Sequence, residues 1–169
     1  MKKGFTLIEL LVSMTIFVIV MVSIIELFIS GIKTQKKSLA LQTLSDGTSY
    51  AVEYMSRAIR MAKKDLNTGC NFENVGTNGI RFLNYEKEEQ LFTLDNNQIK
   101  EKKDGHPLTA LTSDNFRVTK LSFGLSGRCQ VDDLQPRVTI SIEIQTKEVD
   151  PQTLNIQTTI SQRDLDVQY

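Results

Sequence analysis

One stretch near the amino terminus limits what the whole chain can be. From Phe5 to Ile25 the residues are apolar almost without a break, and the one carboxylate among them is Glu9. A helix rises about 1.5 Å per residue, so this run is roughly 31 Å long, close to the hydrocarbon thickness of a bilayer. Lipid offers the backbone no hydrogen-bond partners and a lone segment cannot close a barrel, so the run must be helical. The short basic head Met1-Lys2-Lys3-Gly4 favours a cytoplasmic amino end.

Three readings compete for this segment. A cleaved secretory signal has a shorter apolar region followed by small residues at the cleavage site, and Ser23-Ile24-Ile25-Glu26 does not form such a site. A plain membrane anchor explains the length and the lysines. It leaves Glu9 unexplained, because an acidic side chain in a spanning helix is costly and points to a partner.

Gly4-Phe5-Thr6-Leu7-Ile8-Glu9 resembles the processing site of type IV pilins and type II secretion pseudopilins. The resemblance covers about the first 25 residues. It implies that a prepilin peptidase cuts between Gly4 and Phe5 and that the new amine on Phe5 is methylated. It also implies that Glu9 pairs with the terminal amine of a neighbouring subunit as the helix enters a filament. Glu9 has a physical logic without the family as well. Four backbone N–H groups lack partners at a helix start, and a carboxylate one turn in favours both the helix dipole and an adjacent amine. Glu9 satisfying only its own helix terminus is the plainer alternative, and the two coexist.

Beyond the membrane segment about 140 residues remain, enough for one small domain. The chain is neutral overall, but its charge is uneven. Lys33 to Lys64 holds seven basic and two acidic residues, net +5; Asp65 to Tyr169 holds 11 basic and 16 acidic, net −5. An acidic carboxyl-terminal part is a poor binder of phosphate, which disfavours nucleic acid as a partner. Such asymmetry usually marks a solvated surface, and complementary packing between subunits is the sharper reading. The two cysteines, Cys70 and Cys129, can pair if this part faces an oxidising compartment. Closing a loop of about 60 residues would then restrict the unfolded chain by about 4 kcal/mol. Two buried free thiols are the alternative, and the limited core of a small domain favours the bridge.

Residues Gln35 to Lys64 continue the helix as an amphipathic one. Its apolar stripe runs through Leu41, Leu44, Ala51, Met55, Ala58 or Ile59, and Ala62. Gly31 and Ser45-Asp46-Gly47-Thr48 are its weak points. Lys63-Lys64 suits its carboxyl end and Asn67-Thr68-Gly69 ends it. Val138, Ile140, Ile142 and Ile144 alternate with polar residues, the cleanest strand signal in the chain, and Leu154, Ile156 and Ile160 repeat it after a turn at Glu148 to Gln152. Further strands are expected at Ile80 to Tyr85, Gln90 to Leu94 and Gln98 to Lys102, with Asp95-Asn96-Asn97 as a turn. Phe116 to Leu125 is another strand, with a bulge between Val118 and Leu121. Cys70 to Gly79 and Gly124 to Pro136 read as loops. A long helix followed only by strands predicts an α+β fold, with an antiparallel sheet packed on the second half of the helix. The expected divisions are a leader over 1–4, a membrane or filament-core helix over 5–30, an amphipathic extension over 31–66 and a β-rich head over 67–169.

A catalytic constellation is not evident. His106, beside Pro107, lacks a local nucleophile, and no phosphate loop, paired-His or Gly-x-Ser-x-Gly motif occurs. One histidine without clustered ligands argues against zinc, and Asp132-Asp133 and Asp164-Leu165-Asp166 fall short of a calcium loop. Neither a cofactor nor a metal is expected. Tyr50 and Tyr54 read as packing groups. The expected role is structural: a subunit moved from the membrane into a type IV pilus or pseudopilus. Leu41 to Leu44, Tyr54 to Arg60 and the end of the last hairpin at Ser161-Gln162-Arg163 loosely resemble minor pilins that initiate or cap filaments, including the J-type pseudopilin group. A major pilin and a tip adhesin or DNA-uptake pseudopilin are the alternatives. The resemblance implies a prepilin peptidase, other pilin subunits, a membrane assembly platform and, before assembly, the lipid bilayer as partners. It places the amino terminus in the cytoplasm, the helix across the inner membrane and the head outside, later in a surface or periplasmic filament.

Overall fold

The computed structural model of the chain describes residues 4, 6–65, 69–129, 134–147 and 150–163. Helix α1 runs over Leu7–Arg60 and is followed by eight strands: β1 Phe72–Val75, β2 Gly79–Leu83, β3 Glu89–Asp95, β4 Gln98–Lys103, β5 Thr109–Ala110, β6 Phe116–Ser126, β7 Arg137–Thr146 and β8 Thr153–Ser161. The chain divides into two compact units, Met1–Leu39 and Ala40–Tyr169.

In the first unit the side chains of residues 7–39 are exposed throughout, including Leu7, Leu11, Phe17, Ile24, Leu27 and Phe28. The helix is long and apolar enough to cross a membrane. The hydroxyls inside its apolar run are satisfied within the helix itself. The hydroxyls of Ser13, Thr15 and Ser23 donate to the carbonyls of Glu9, Leu11 and Ile19 at 2.7, 2.9 and 3.0 Å. This i−4 pattern hides a hydroxyl from an apolar surrounding, because its proton is already bound.

The second unit begins with the rest of α1. Leu44, Thr48, Ala51, Met55 and Ile59 are buried, at steps of four, three, four and four that keep them on one helix face. Thr48 occupies a core position because its hydroxyl donates to the Leu44 carbonyl at 2.6 Å. Leu41, expected on this stripe, is exposed. No break occurs at Gly31 or Gly47. At Gly47 an added Cβ would meet the ring of Phe116 at 2.7 Å, so this glycine gives the aromatic ring close access to the helix. The helix ends at Arg60 rather than Lys64, because the Lys63 N–H turns to the Leu83 carbonyl of β2 at 3.0 Å. The expected stop at Asn67-Thr68 lies outside the described residues.

The strands form two antiparallel sheets instead of one. One has the order β1-β2-β3-β4-β5 and the other β6-β7-β8. Residues 72–75, expected as loop, pair with β2 as an edge strand in which Phe72 is buried. Strand β6 continues to Ser126, three residues into the second expected loop. Other expectations hold. Asn96 and Asn97 turn the β3–β4 hairpin with φ of 51° and 62°, the left-handed pair that a two-residue hairpin turn requires. The register of β6 against β7 shifts between Val118 and Lys120. Val138, Ile140, Ile142 and Ile144 are buried on one face of β7, which pairs with β8 as an antiparallel hairpin; Glu148 and Val149 of its turn lie outside the described residues. Leu44, Met55, Ile59 and Ala62 form one core with Phe72, Phe82 and Phe92 of the first sheet and with Leu121, Phe123 and the β7 isoleucines of the second.

Candidate functional site

The first site expected from sequence is the start of α1. Thr6 lies just before the helix, and three hydrogen bonds tie it to Glu9. The Thr6 backbone N–H donates to Glu9 Oε2 at 3.0 Å, and the Thr6 hydroxyl donates to the same oxygen at 2.9 Å. The Glu9 N–H donates back to Thr6 Oγ1 at 3.3 Å. This is a capping box: the cap residue and the third helical residue satisfy each other's free N–H groups. The sequence reading passes over Thr6, although the Thr-x-x-Glu spacing is the signal that marks it. Glu9 therefore does satisfy its own helix terminus. It does so with one oxygen, and Oε1 accepts no hydrogen bond among the described residues. Gly4 is exposed, whereas Phe5 lies outside the described residues.

The cysteines are brought together. Cys70 and Cys129 form a disulfide across 59 residues of sequence. The Asn71 N–H donates to the Arg128 carbonyl at 2.7 Å beside it. Asn71 opens a buried polar network that no sequence signal announces. Its side-chain amide donates to Gln162 Oε1 at 3.0 Å, and the Gln162 amide donates to the Ala62 carbonyl at 2.9 Å. Gln162 is fully buried, and its own carbonyl accepts from Gln135 at 2.9 Å. The disulfide loops, the end of α1 and the end of β8 are thus joined at one place.

A second polar cluster forms where α1 meets the first sheet. The Tyr54 hydroxyl donates to the Glu101 carboxylate at 2.9 and 3.1 Å and accepts from Lys103 Nζ at 3.2 Å, while Gln90 also donates to Glu101. The Tyr54 ring meets Phe92 edge-on at 6.3 Å. Burial, then the bond to Glu101, raises the Tyr54 phenol above its ordinary value; Lys103 is raised chiefly by its bond to Tyr54. Tyr54 is therefore a packing group with a polar clamp at its tip, whereas Tyr50 is exposed and stacks on it at 6.4 Å. Both oxygens of Glu101 accept hydrogen bonds within the cluster. His106 lies in an exposed turn, its N–H on the Lys103 carbonyl at 3.0 Å. Among the described residues no group of three His, Cys, Asp or Glu side chains is placed to hold a metal ion. Asp132-Asp133 and Asp164 to Asp166 lie outside them.

Comparison with known families gives one match: residues 1–25 fit the prokaryotic N-terminal methylation motif. This prepilin-type motif supports the type IV pilin and pseudopilin family, and with it a pilin-like structural subunit held by an apolar amino-terminal helix. No curated protein and no solved structure matches the chain.

Proposed function

We propose that the chain is a minor pilin-like subunit that waits in the inner membrane and is then built into a type IV pilus or pseudopilus, where it initiates or caps the filament. In this reading a prepilin peptidase cuts between Gly4 and Phe5, and the amine exposed on Phe5 is methylated. Glu9 then takes the terminal amine of a neighbouring subunit. One observation carries the proposal. The Glu9 carboxylate is held in place by Thr6 through one oxygen, and its other oxygen is open to a cation. An acid that served only its own helix terminus would need no place within an otherwise apolar run. The hydroxyls satisfied inside α1 support the lipid phase of the same life, since none of them requires water. Lys2 and Lys3 support a cytoplasmic amino end, and the Cys70–Cys129 disulfide supports a head exposed to an oxidising compartment. The resemblance of Leu41 to Leu44, Tyr54 to Arg60 and Ser161 to Arg163 to minor pilins supports the initiating or capping role over that of a major pilin or a DNA-uptake tip.

In-cell cross-linking with mass spectrometry, on the wild type and on Glu9→Leu, tests this. The expected result is a mature terminus at methylated Phe5, cross-links to other pilin-like subunits, and one or a few copies per filament. Glu9→Leu should insert into the membrane normally and lose its filament cross-links. Filament entry of Glu9→Leu at wild-type efficiency would remove the pairing step, and hundreds of copies per filament would remove the minor role.

A further inference from the structure

The carboxyl end of α1 borders a cavity of about 320 Å³ lined by Arg60, Met61, Ala62, Lys63, Tyr85 and Arg163. Three of these six residues are cations and none is an acid. The helix dipole alone accounts for a basic residue in the last turn, and Arg57 and Arg60 both stand there. It does not account for Arg163, which arrives from the far end of the sequence. After β8 the chain returns to the helix, and the Arg163 N–H donates to the Arg60 carbonyl at 2.9 Å. That bond brings a second guanidinium to the cavity of the first. Neither Arg60 nor Arg163 has a carboxylate partner among the described residues. The nearby cations differ: Arg57 pairs with Glu53 at 2.8 Å, and Lys103 lies 3.7 Å from Glu101.

Apolar groups also line the cavity. Met61 is 41% exposed and Tyr85 is 64% exposed, and both also border a second depression of about 290 Å³. Lys63 Nζ lies 5.9 Å from the centre of the Tyr85 ring. We propose that this cavity is a docking site for an acidic peptide segment of a partner protein, one that carries carboxylates on either side of a bulky apolar residue. The arginines offer paired donors that match carboxylates, and Met61 and Tyr85 offer an adaptable thioether and an aromatic face to the residue between them. A nucleic acid fits less well. It needs a continuous basic track with stacking platforms, and here Glu86 borders the second depression while the residues from Asp65 onward carry net −5. The proposal goes beyond filament entry and does not depend on it, because the cavity belongs wholly to the second unit.

The test uses the full chain in detergent micelles and fluorescence anisotropy of a labelled Asp-Phe-Glu-Leu-Asp peptide. The wild type should bind it, with affinity that falls as salt rises, and should not bind the Lys-Phe-Lys-Leu-Lys counterpart. The double variant R60Q/R163Q should bind about tenfold more weakly or worse, and Met61→Glu should also weaken binding. Thermal unfolding of each variant checks that the head is intact, and the salt dependence of the wild type reads the same charges without any substitution. Absence of wild-type binding, unchanged affinity in R60Q/R163Q, or tighter binding of a thymidine oligonucleotide would each overturn the proposal. So would binding that appears only after removal of residues 164–169. That segment is itself acidic, and the cavity would then serve the chain's own end.

Discussion

The two units satisfy their polar groups in opposite ways. In the apolar run of residues 7–25 the side-chain bonds shown are local: Glu9 bonds Thr6 three residues away, and Ser13, Thr15 and Ser23 each bond a carbonyl four residues away. In the second unit the decisive partners are distant in sequence. Tyr54 reaches Glu101 across 47 residues, Cys70 reaches Cys129 across 59, and Gln162 reaches Asn71 across 91 and Ala62 across 100. A run whose side-chain bonds are local needs no distant segment to keep them, which suits a helix long and apolar enough to cross a membrane. A domain with distant bonds holds together only as a whole, and loses them together.

That difference can be broken or sharpened by measurement. The largest effect should come from Phe92→Ala, which removes a fully buried ring from the core. It should cost the head about 3–5 kcal/mol in denaturant unfolding of the full chain in micelles. The far-UV helical signal expected of residues 7–39 should survive; if it melts with the head, the contrast fails. Next, reducing the Cys70–Cys129 disulfide, or replacing both residues by serine, should lower head stability by about 2–5 kcal/mol and leave membrane insertion unchanged. Gln162→Ala should cost about 1–3 kcal/mol in the same unfolding measurement, since it removes the acceptor of the Asn71 amide and the donor to the Ala62 carbonyl in a buried place.

The smallest effect concerns pH. The folded-state values of Tyr54 and Lys103 are both raised, so the stability these groups supply is complete below about pH 10 and is lost as pH rises through the raised values. Alkaline unfolding of the head should therefore steepen above about pH 10 in the wild type and be shallower in Tyr54→Phe. Absorbance at the phenolate band should show a phenol ionising above the ordinary tyrosine range in the wild type that is missing in Tyr54→Phe. The same phenolate titration in the wild type and in Tyr54→Phe, apart from the loss of one phenol's amplitude at the ordinary pH, would mean that the clamp to Glu101 is not held in solution.

The same division explains what could be read in advance. Features written in local periodicity were legible: the apolar run, the alternation of β7, the Asn96-Asn97 turn and the bulge near Val118. Features that depend on a distant partner were not. Phe72-Glu73-Asn74-Val75 is too short and polar to announce a strand, and it is one only because β2 lies beside it. Gly47 reads as a weak point in a helix until Phe116 is placed against it. The split into two sheets turns on whether β5 and β6 pair, and no residue type in either strand states that. Gln162 reads as surface until three chain segments close over it. At the start of α1 the Glu9 position is legible and so is the role of the acid at its own terminus, while Thr6 is marked only by its spacing to Glu9.

One consequence follows from the half-used carboxylate of Glu9. With Thr6 on one oxygen, the acid is monovalent toward outside cations. On the proposed reading each mature chain also carries a single terminal amine, four residues away from that acid in sequence. A particle with one plug and one socket, set apart along its length, does not clump. It joins one successor and follows one predecessor, and unless the turn between them closes a ring, repetition of the step traces a spiral.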